Sequence, residues 1–398
     1  MSMNHTPKGE RIHIALFGRR NVGKSSLINA ITGQDLAIVS NIKGTTTDPV
    51  YKAMELLPLG PVMLVDTPGL DDEGELGTQR IRKAKSVLNK TDIALIVADG
   101  RQTLKDFSFE ETILTLAKEK NIPTIVILNK RDEWLKDEEA IGKRGDISVS
   151  ASTGYHIEEL KQLISTRIPA EDQTGKIVGD LLSPGDFVVL VVPIDKAAPK
   201  GRLILPQQQV IRDVLESGAT SIVCRDTELS DTLAKLGTRP RLVITDSQAF
   251  GRVSKEVPKE IALTSFSILF SRYKGDLETQ IRGAKTLETL NNGDTILMAE
   301  GCTHHRQCDD IGTVKLPRWI QEYTGKELSF ETTSGGSFPD DLSKYKLIVH
   351  CGGCTLPPRE MAFRIAEAND QKVPIANYGT IIAYINGILQ RSIEPFEK

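Results

Sequence analysis

A glycine-rich loop directly after an apolar run is the feature that most constrains this fold. The run "IHIALFG" leads into Gly18-Arg-Arg-Asn-Val-Gly23-Lys24-Ser25, a complete G-x-x-x-x-G-K-S, and the helix-like stretch "SSLINAITG" follows it. Glycines in such a loop let backbone N–H groups turn toward phosphate oxygens. The lysine then reaches the β- and γ-phosphates, and the serine hydroxyl binds Mg²⁺. A strand before the loop and a helix after it favour this interpretation over a chance glycine-rich turn, and predict a parallel α/β sheet that binds a nucleotide.

Three further motifs follow later strand-like runs. Asp66-Thr-Pro-Gly69 comes after "VMLV", where Asp66 is predicted to hold Mg²⁺ through water and the Gly69 N–H to face a γ-phosphate. Asn129-Lys130-Arg131-Asp132 comes after "TIVIL", and a carboxylate at Asp132 can accept two hydrogen bonds from guanine that adenine cannot donate. In Ser150-Ala151-Ser152, after "DISV", a loop amide is predicted to contact guanine O6. The residues predicted to bind GTP or GDP are Gly18, Asn21, Val22, Gly23, Lys24, Ser25, Ser26, Asn129, Lys130, Asp132, Ser150 and Ala151.

Alternating strand-like and helix-like runs continue along all 398 residues, a length typical of two or three domains. The predicted fold class is α/β, with three consecutive α/β domains. Residues 1–172 form a P-loop GTPase fold, and residues 180–265 and 266–398 form smaller parallel-sheet, Rossmann-like units. The middle unit lacks a phosphate loop and a catalytic cluster, so it is predicted to be a dimerisation domain. Cys224 is predicted to be a core thiol there, and residues 198–209 a loop that opens a helix.

Composition excludes several classes of protein. The net charge is −3, and residues 266–398 carry 15 Lys and Arg against 17 Asp and Glu, so no basic surface for nucleic acid is expected. No run of 18 apolar residues predicts a membrane span, and the first residues lack the apolar region of a secretory signal. Five cysteines, an odd number in a long chain, do not resemble a disulfide framework and are consistent with the cytoplasm.

Three of the five cysteines follow two strand-like runs in the last predicted domain. Cys302 and His304 come after "DTILMAE", and His350, Cys351 and Cys354 come after "KLIVH". If these strands are parallel neighbours, their carboxyl ends bring the side chains together. Thiolates with this spacing suit a closed Cys₃His zinc site or an iron–sulfur cluster, and the spacing favours neither. Unligated thiols and histidines at strand ends are the third interpretation, and His305 and Cys308 are predicted to be loop residues.

The first-domain motifs resemble the translation-factor-related GTPases of the TrmE and Era type, which carry Asn in the P-loop as in "RRNVGKSS" and a "GTTTD" segment as at residues 44–48. The resemblance implies that Thr46, or its neighbour Thr45 or Thr47, closes on Mg²⁺ when GTP is bound. It also implies that Asn21 ligates K⁺, although a solvated loop position for Asn21 stays open. Leu70 stands where other GTPases have a water-orienting glutamine, so slow, K⁺-stimulated GTP hydrolysis is expected. The predicted catalytic residues are Lys24, Thr46, Asp66 and Gly69, with Ser25, Thr46 and Asp66 on Mg²⁺.

With C-x-H followed 45 residues later by HC-x-x-C, the whole chain resembles the HydF family, the GTPase maturation factors of FeFe-hydrogenase. The resemblance implies a 4Fe–4S cluster on Cys302, Cys351 and Cys354, with His304 and His350 as candidate ligands. It implies a scaffold that receives the diiron subcluster, with CO, cyanide and a dithiolate, and transfers it to apo-hydrogenase. The implied partners are apo FeFe-hydrogenase, radical-SAM hydrogenase maturases and a second copy of the chain. The alternatives are a ribosome-assembly or tRNA-modification GTPase with structural zinc, and a GTP-regulated zinc protein that acts as an interaction module.

Overall fold

The computed structural model describes residues 6–33, 49–68, 84–103, 106–134, 143–168, 175–194, 203–302 and 310–397. The chain divides into two compact units, Met1–Thr174 and Gly175–Lys398. Within the described ranges, no helix combines the length and the apolar character needed to cross a membrane.

The first unit is built on a six-stranded sheet with the order β2–β3–β1–β4–β5–β6. All neighbouring strands run parallel except β2 and β3, which are antiparallel. The strands are β1 (Ile12–Phe17), β2 (Val50–Leu56), β3 (Gly60–Asp66), β4 (Ile93–Asp99), β5 (Thr124–Asn129) and β6 (Ile147–Ser148). The helices whose bounds fall within the described ranges are α1 (Lys24–Thr32), α2 (Gly100–Thr103), α3 (Ser108–Glu119) and α4 (Ile157–Arg167).

The inner strands of this sheet are buried on both faces. In β1, Ile14 and Leu16 belong to one apolar core, and Ala15 and Phe17 belong to the core on the other face. Successive side chains of a strand point to opposite faces, so a strand covered on both sides is apolar throughout. This arrangement places the predicted motifs at the carboxyl ends of β1, β3, β5 and β6, and confirms the predicted P-loop α/β fold.

The second unit contains two four-stranded parallel sheets, with the orders β10–β9–β7–β8 and β12–β11–β13–β14. The strands of the first are β7 (Phe187–Val191), β8 (Thr220–Cys224), β9 (Leu242–Thr245) and β10 (Ala262–Ser265). The strands of the second are β11 (Thr295–Ala299), β12 (Ser329–Thr333), β13 (Leu347–His350) and β14 (Ile375–Asn377). Parallel strands need helical crossovers, so each sheet is interleaved with helices, as predicted for two smaller α/β units.

The helices of the second unit are α5 (Leu205–Glu216), α6 (Leu229–Lys235), α7 (Phe250–Glu256), α8 (Phe266–Lys274), α9 (Leu277–Lys285), α10 (Leu316–Thr324), α11 (Pro358–Asp370), α12 (Tyr378–Ile385) and α13 (Leu389–Ile393). One apolar core joins the two sheets, since Val189 and Val243 of the first belong to the same cluster as Ile296 and Val349 of the second. The structure therefore gathers residues 175–398 into one compact unit. The boundary predicted at residue 265 stays a prediction within it.

Candidate functional site

The loop between β1 and α1 approaches the ends of later strands so closely that two positions require glycine. A Cβ on Gly18 would lie 2.2 Å from the carbonyl oxygen of Val97, and one on Gly23, at φ +92°, would lie 2.3 Å from Asn129 Nδ2. Between them, Asn21 adopts φ 60°, a left-handed conformation that Asn tolerates better than most residues. The P-loop is thereby packed against the ends of β4 and β5.

The first two residues of α1 lie in the phosphate-binding and Mg²⁺ positions of the predicted motif. Lys24 Nζ donates to the carbonyl oxygens of Gly18 and Arg19, at 2.8 Å each. Ser25 Oγ donates to Asp66 Oδ2 at 2.6 Å. Burial raises the pKa of Asp66, and its Oδ1 is buried without a hydrogen-bond partner. A buried, unpaired carboxylate oxygen beside a serine hydroxyl is a donor set that suits Mg²⁺.

Asn129 ties the end of β5 to both neighbouring loops. Its Nδ2 donates to the carbonyl oxygen of Val22 at 2.9 Å, and its Oδ1 accepts from the backbone N–H of Ala151 at 3.1 Å. Lys130 adopts φ 63° and its Nζ donates to Asp99 Oδ2 at 3.0 Å. These contacts hold the P-loop, β5 and the 150–152 loop in one arrangement.

Asp132 has both carboxylate oxygens held by hydroxyl groups. Ser150 Oγ donates to Oδ1 at 2.6 Å, and Ser152 Oγ donates to Oδ2 at 2.9 Å. The hydrogen bond from Ser150 is the largest cause that lowers the pKa of Asp132. The carboxylate is therefore ionised and accepts two hydrogen bonds, the pattern predicted for guanine. The contacts of Asp99 and Ser152 were not predicted from the motifs. The sequence signals for them are a carboxylate at the end of "DIALIVAD" and a second serine in Ser150-Ala151-Ser152.

Several predicted residues lie outside the described ranges. Val22, a residue of the P-loop, is buried and Ser26 lies on α1, so both are inside those ranges. The predicted residues that lie outside the described ranges are Thr46 with its neighbours Thr45 and Thr47, Gly69, Leu70, His304, His305 and Cys308. The loop predicted at 198–209 is described from residue 203, and α5 begins at Leu205 with a proline in its first turn.

The three cysteines predicted to converge lie at one edge of the last sheet. Cys302 follows β11, and Cys351 and Cys354 follow β13. These strands are parallel neighbours, with Ala299 opposite His350 in the register. These three cysteines form no disulfide and are of intermediate exposure. The topology therefore places the three cysteines and His350 at the same end of the sheet, whereas the fifth predicted residue, His304, lies outside the described ranges.

The thiols influence one another electrostatically. Burial raises the pKa of Cys302 to about 12, and its neighbours Cys351 and Cys354 add to the rise. Burial likewise raises the pKa of Cys351 to about 11. Against this, the backbone N–H groups of Gly301 and Gly353 donate to Cys351 Sγ at 3.1 and 3.4 Å. Burial is the larger effect, so these thiols stay protonated until a cation replaces the protons.

Among the residues that the structure describes, no group of three or more His, Cys, Asp or Glu side chains is arranged to hold a metal ion. A closed zinc or iron–sulfur site is therefore not seen in the described part. The chemistry of the donor set nevertheless suits such a group, because three neighbouring thiols and amides directed at sulfur are typical of thiolate-held metal centres.

His350 uses both of its ring nitrogens in hydrogen bonds. Its side chain is fully buried, Arg364 Nη1 donates to Nε2 at 3.0 Å, and Nδ1 lies 2.7 Å from the carbonyl oxygen of Cys351. A guanidinium has only donors, so Nε2 accepts and Nδ1–H donates. Burial lowers the pKa of His350 to about 3, with the Arg364 charge as the second cause. Ligation by His350 stays a prediction, one that requires breaking a bond seen here.

Comparison with protein families assigns most of the chain. The GTPase family described as "50S ribosome-binding GTPase" matches residues 13–130. The hydrogen maturase F dimerization domain matches residues 177–275, and the hydrogen maturase F tetramerization domain matches residues 278–395. The chain belongs to the HydF family. Its first unit is a GTPase domain, which confirms the predicted GTPase, and matches throughout residues 177–395 favour HydF over the ribosomal and tRNA alternative.

Two curated relatives that match this chain are GTPases, and each match covers 40% of the chain. The chain is 35% identical over 170 residues to the tRNA modification GTPase MnmE of Desulfotalea psychrophila, covering 40% of this chain and 35% of that protein. It is 35% identical over 179 residues to GTPase Der of Wolinella succinogenes, covering 40% and 37%. This HydF chain thus spans about a third of the length of the curated relatives that it matches. A solved structure of an Era variant from Aquifex aeolicus matches with a TM-score of 0.35 and 22% identity, over 54% of this chain and 92% of that chain.

Proposed function

We propose that this hydrogen maturase holds a 4Fe–4S cluster on Cys302, Cys351 and Cys354. The observation that carries the proposal is the placement of three cysteines just after the carboxyl ends of the neighbouring parallel strands β11 and β13, in a chain of the HydF family. Three cysteines hold three irons of a cubane and leave the fourth iron open to an exchangeable ligand. When bound, the cluster would supply an anchoring site for cargo. The thiols hold it, and the Gly301 and Gly353 amides stabilise the charge on sulfur.

The cargo in this proposal is the diiron subcluster, with its CO, cyanide and dithiolate ligands. We infer that the chain receives it from radical-SAM hydrogenase maturases and transfers it to apo FeFe-hydrogenase in the cytoplasm. A scaffold needs an open position, because four thiolates would leave no place for an incoming bridging group. The occupied ring nitrogens of His350 are compatible with that open position.

In the first unit, GTP binding and hydrolysis would regulate cargo assembly or partner release. Lys24 would leave its two carbonyl acceptors for the β- and γ-phosphates, and Ser25 and Asp66 would hold Mg²⁺. Asp132 would exchange its two serine donors for the N1–H and 2-amino groups of guanine. Asn21 would ligate K⁺, which comparison of hydrolysis rates in K⁺ and Na⁺ can test.

A homodimer is proposed to form along the edge strand β8. Val223 on β8 is 46% exposed and Leu215 on the adjacent α5 is 58% exposed, within the segment matched by the dimerization domain. An apolar edge strand presents unpaired backbone groups to a second chain. The edge strand β12 differs, because its Glu331 is paired with Lys344. In the sheet that contains β8, the opposite edge strand is β10, and α13 packs against it.

Anaerobic purification and reconstitution test the cluster. Iron, sulfide and zinc contents and an absorbance spectrum are compared between the wild type and Cys302→Ala, Cys351→Ala and Cys354→Ala. We expect iron and sulfide in the wild type and their loss in each variant, together with loss of hydrogenase maturation. Cys224→Ala, which removes a thiol of the second unit's core, is the matched control and should retain iron. One zinc and no iron in the reconstituted wild type would contradict the proposal, as would normal maturation by the three variants.

A further inference from the structure

A buried lysine contacts the loop of residues 351–357, called the cysteine loop below, from a helix outside the sheet to which that loop belongs. Lys274, the last residue of α8, is 4% exposed. Its Nζ donates to the carbonyl oxygens of Leu356 at 2.9 Å, Cys354 at 3.0 Å and Gly353 at 3.4 Å. An ammonium group carries three N–H donors. Three carbonyls of one short loop thus converge on a single side chain.

The rest of α8 packs against the same loop. Cys354 packs against an apolar core cluster that includes Phe266, Leu269 and Phe270 of α8. A Cβ added to Gly352 would lie 3.9 Å from the Cβ of Phe270. The helix belongs to the segment matched by the dimerization domain, residues 177–275, whereas the loop belongs to the segment matched at 278–395. Lys274 therefore connects the two matched segments at the cysteines.

The loop has too little regular structure of its own to fix its sulfur atoms. Residues 351–357 lie between β13 and α11 and form no helix or strand. Within them, Gly353 adopts φ +61° and its carbonyl also accepts the N–H of Leu356. Holding the carbonyls of residues 353, 354 and 356 restricts the backbone on both sides of Cys354, and so limits where its Sγ can lie relative to Cys351.

The positive charge of Lys274 also lies at the cysteine loop, because its Nζ is bonded to the carbonyl oxygen of Cys354. A positive charge beside a sulfur ligand favours the thiolate form and the more reduced, more negative state of a metal–thiolate group. The charge is buried, so solvent and salt screen it much less than they would a surface lysine.

We propose that Lys274 is the positioning residue of the cysteine loop, which holds the 353–356 carbonyls in place and sets the charge beside the metal group. The loop-holding part concerns the metal-free chain. The charge-setting part rests on the proposed function, because it needs a bound cluster. The two parts require different measurements, so failure of one is distinguishable from failure of the other.

The loop-holding part is tested by amide hydrogen exchange in the metal-free, full-length protein. Lys274→Met removes the three donors at similar length, Lys274→Arg keeps the charge with different donor geometry, and Lys344→Met removes an exposed lysine bonded to Glu331 in the same unit. We expect exchange in residues 351–356 to quicken about tenfold or more in Lys274→Met, less in Lys274→Arg, and not in Lys344→Met. If Lys274→Met does not fold, Lys274→Gln replaces it. Unchanged exchange in the folded neutral variant would overturn this part.

The charge-setting part is tested with metal. Co²⁺ titration, followed by its thiolate charge-transfer band, should show affinity weakened about 10–100-fold in Lys274→Met, the usual effect of losing a residue that supports metal ligands. The reduction potential of the reconstituted cluster should fall in Lys274→Met and return toward the wild-type value in Lys274→Arg. If Lys274 only held the loop in place, the reduction potential of the cluster would be unchanged in Lys274→Met, and that result would overturn this part. A wild type that binds neither Co²⁺ nor iron would instead refute the proposed cluster, while the exchange experiment would still decide the loop-holding part.

Discussion

At the scale of single residues, Asp132, the residue proposed to recognise guanine, has both of its carboxylate oxygens hydrogen-bonded in the absence of a nucleotide. Ser150 and Ser152 donate to its two oxygens and keep the carboxylate ionised. Guanine offers the same number of donors, so binding exchanges two hydrogen bonds for two others. Little reorganisation is then needed at the base site.

Replacing Asp132 with Asn should weaken GTP binding roughly 10–100-fold, since a hydrogen bond to a charged group contributes about 1.5–3 kcal/mol. The amide can accept only one of the two guanine donors, and its NH₂ group opposes the other. Fluorescence titration with labelled GDP measures the loss, and competition by unlabelled GTP and ATP measures selectivity. Ser152→Ala, which keeps the carboxylate, is the control and should cost much less. Equal use of GTP and ATP by the wild type would refute the guanine assignment.

His350 is a buried link between Arg364 and the backbone of Cys351. His350→Ala should lower the free energy of unfolding of the second unit by about 1–3 kcal/mol, because a buried guanidinium loses one acceptor. Arg364 keeps its contacts with Glu360 and the Gly335 carbonyl, so we expect part of the cluster to remain. Urea unfolding and iron content of the same preparation measure both effects. Complete loss of iron with unchanged stability would identify His350 as a ligand.

At the scale of secondary-structure elements, the exposed face of β8 is the part of the second unit best suited to pair with another chain. Val223→Lys should shift the protein from dimer toward monomer at micromolar concentration, since a charged side chain on an edge strand opposes pairing. Light scattering coupled to size exclusion measures the mass. The full-length chain is required because the core of residues 175–398 is shared between both sheets.

Val314→Lys serves as the matched control for the edge strand. Val314 is 42% exposed in the same unit, close to the 46% of Val223, and lies outside the segment matched by the dimerization domain. A dimer that survives Val223→Lys but not Val314→Lys would contradict an interface at β8 and place it near Val314, in the segment matched by the tetramerization domain.

The strands that sequence predicts best are those buried on both faces. The run "TIVILN" predicts both ends of β5, because a continuous apolar run rich in β-branched residues is typical of a buried strand. The sequence pattern does not predict the strand β2. Its pattern is largely exposed, and it is held by antiparallel pairing with β3, in which Lys52 lies opposite Leu64. Pairing between distant segments leaves little periodic signal in an exposed strand.

At the scale of the whole molecule, the two candidate sites belong to different compact units. Every described nucleotide-site residue lies in Met1–Thr174, and the three cysteines lie in Gly175–Lys398. The hydrogen bonds described for each site join residues of the same unit. We therefore expect each site to keep its function when the other site is removed by substitution.

Lys24→Ala should reduce GTP turnover at least about 100-fold, because it removes a charge that stabilises the transferred phosphoryl group, and should leave the iron content unchanged. Cys351→Ala should lose the cluster and keep GTP turnover within about twofold of the wild type. Phosphate release and iron analysis on the same samples give both results. Loss of turnover in a folded Cys351→Ala protein would show that the two sites are energetically coupled.

The sequence by itself determined the order of α/β units, the P-loop with its downstream motifs, and the three cysteines, since each depends on local pattern and on the rule that parallel strands end at one edge. Only the tertiary structure decided which groups hold these residues. Ser152 on Asp132, Arg364 on His350 and Lys274 on the cysteine loop come from other elements. The physical reason is that a buried polar group must find a partner wherever the fold places one, and the spacing of residues along the chain does not record that choice.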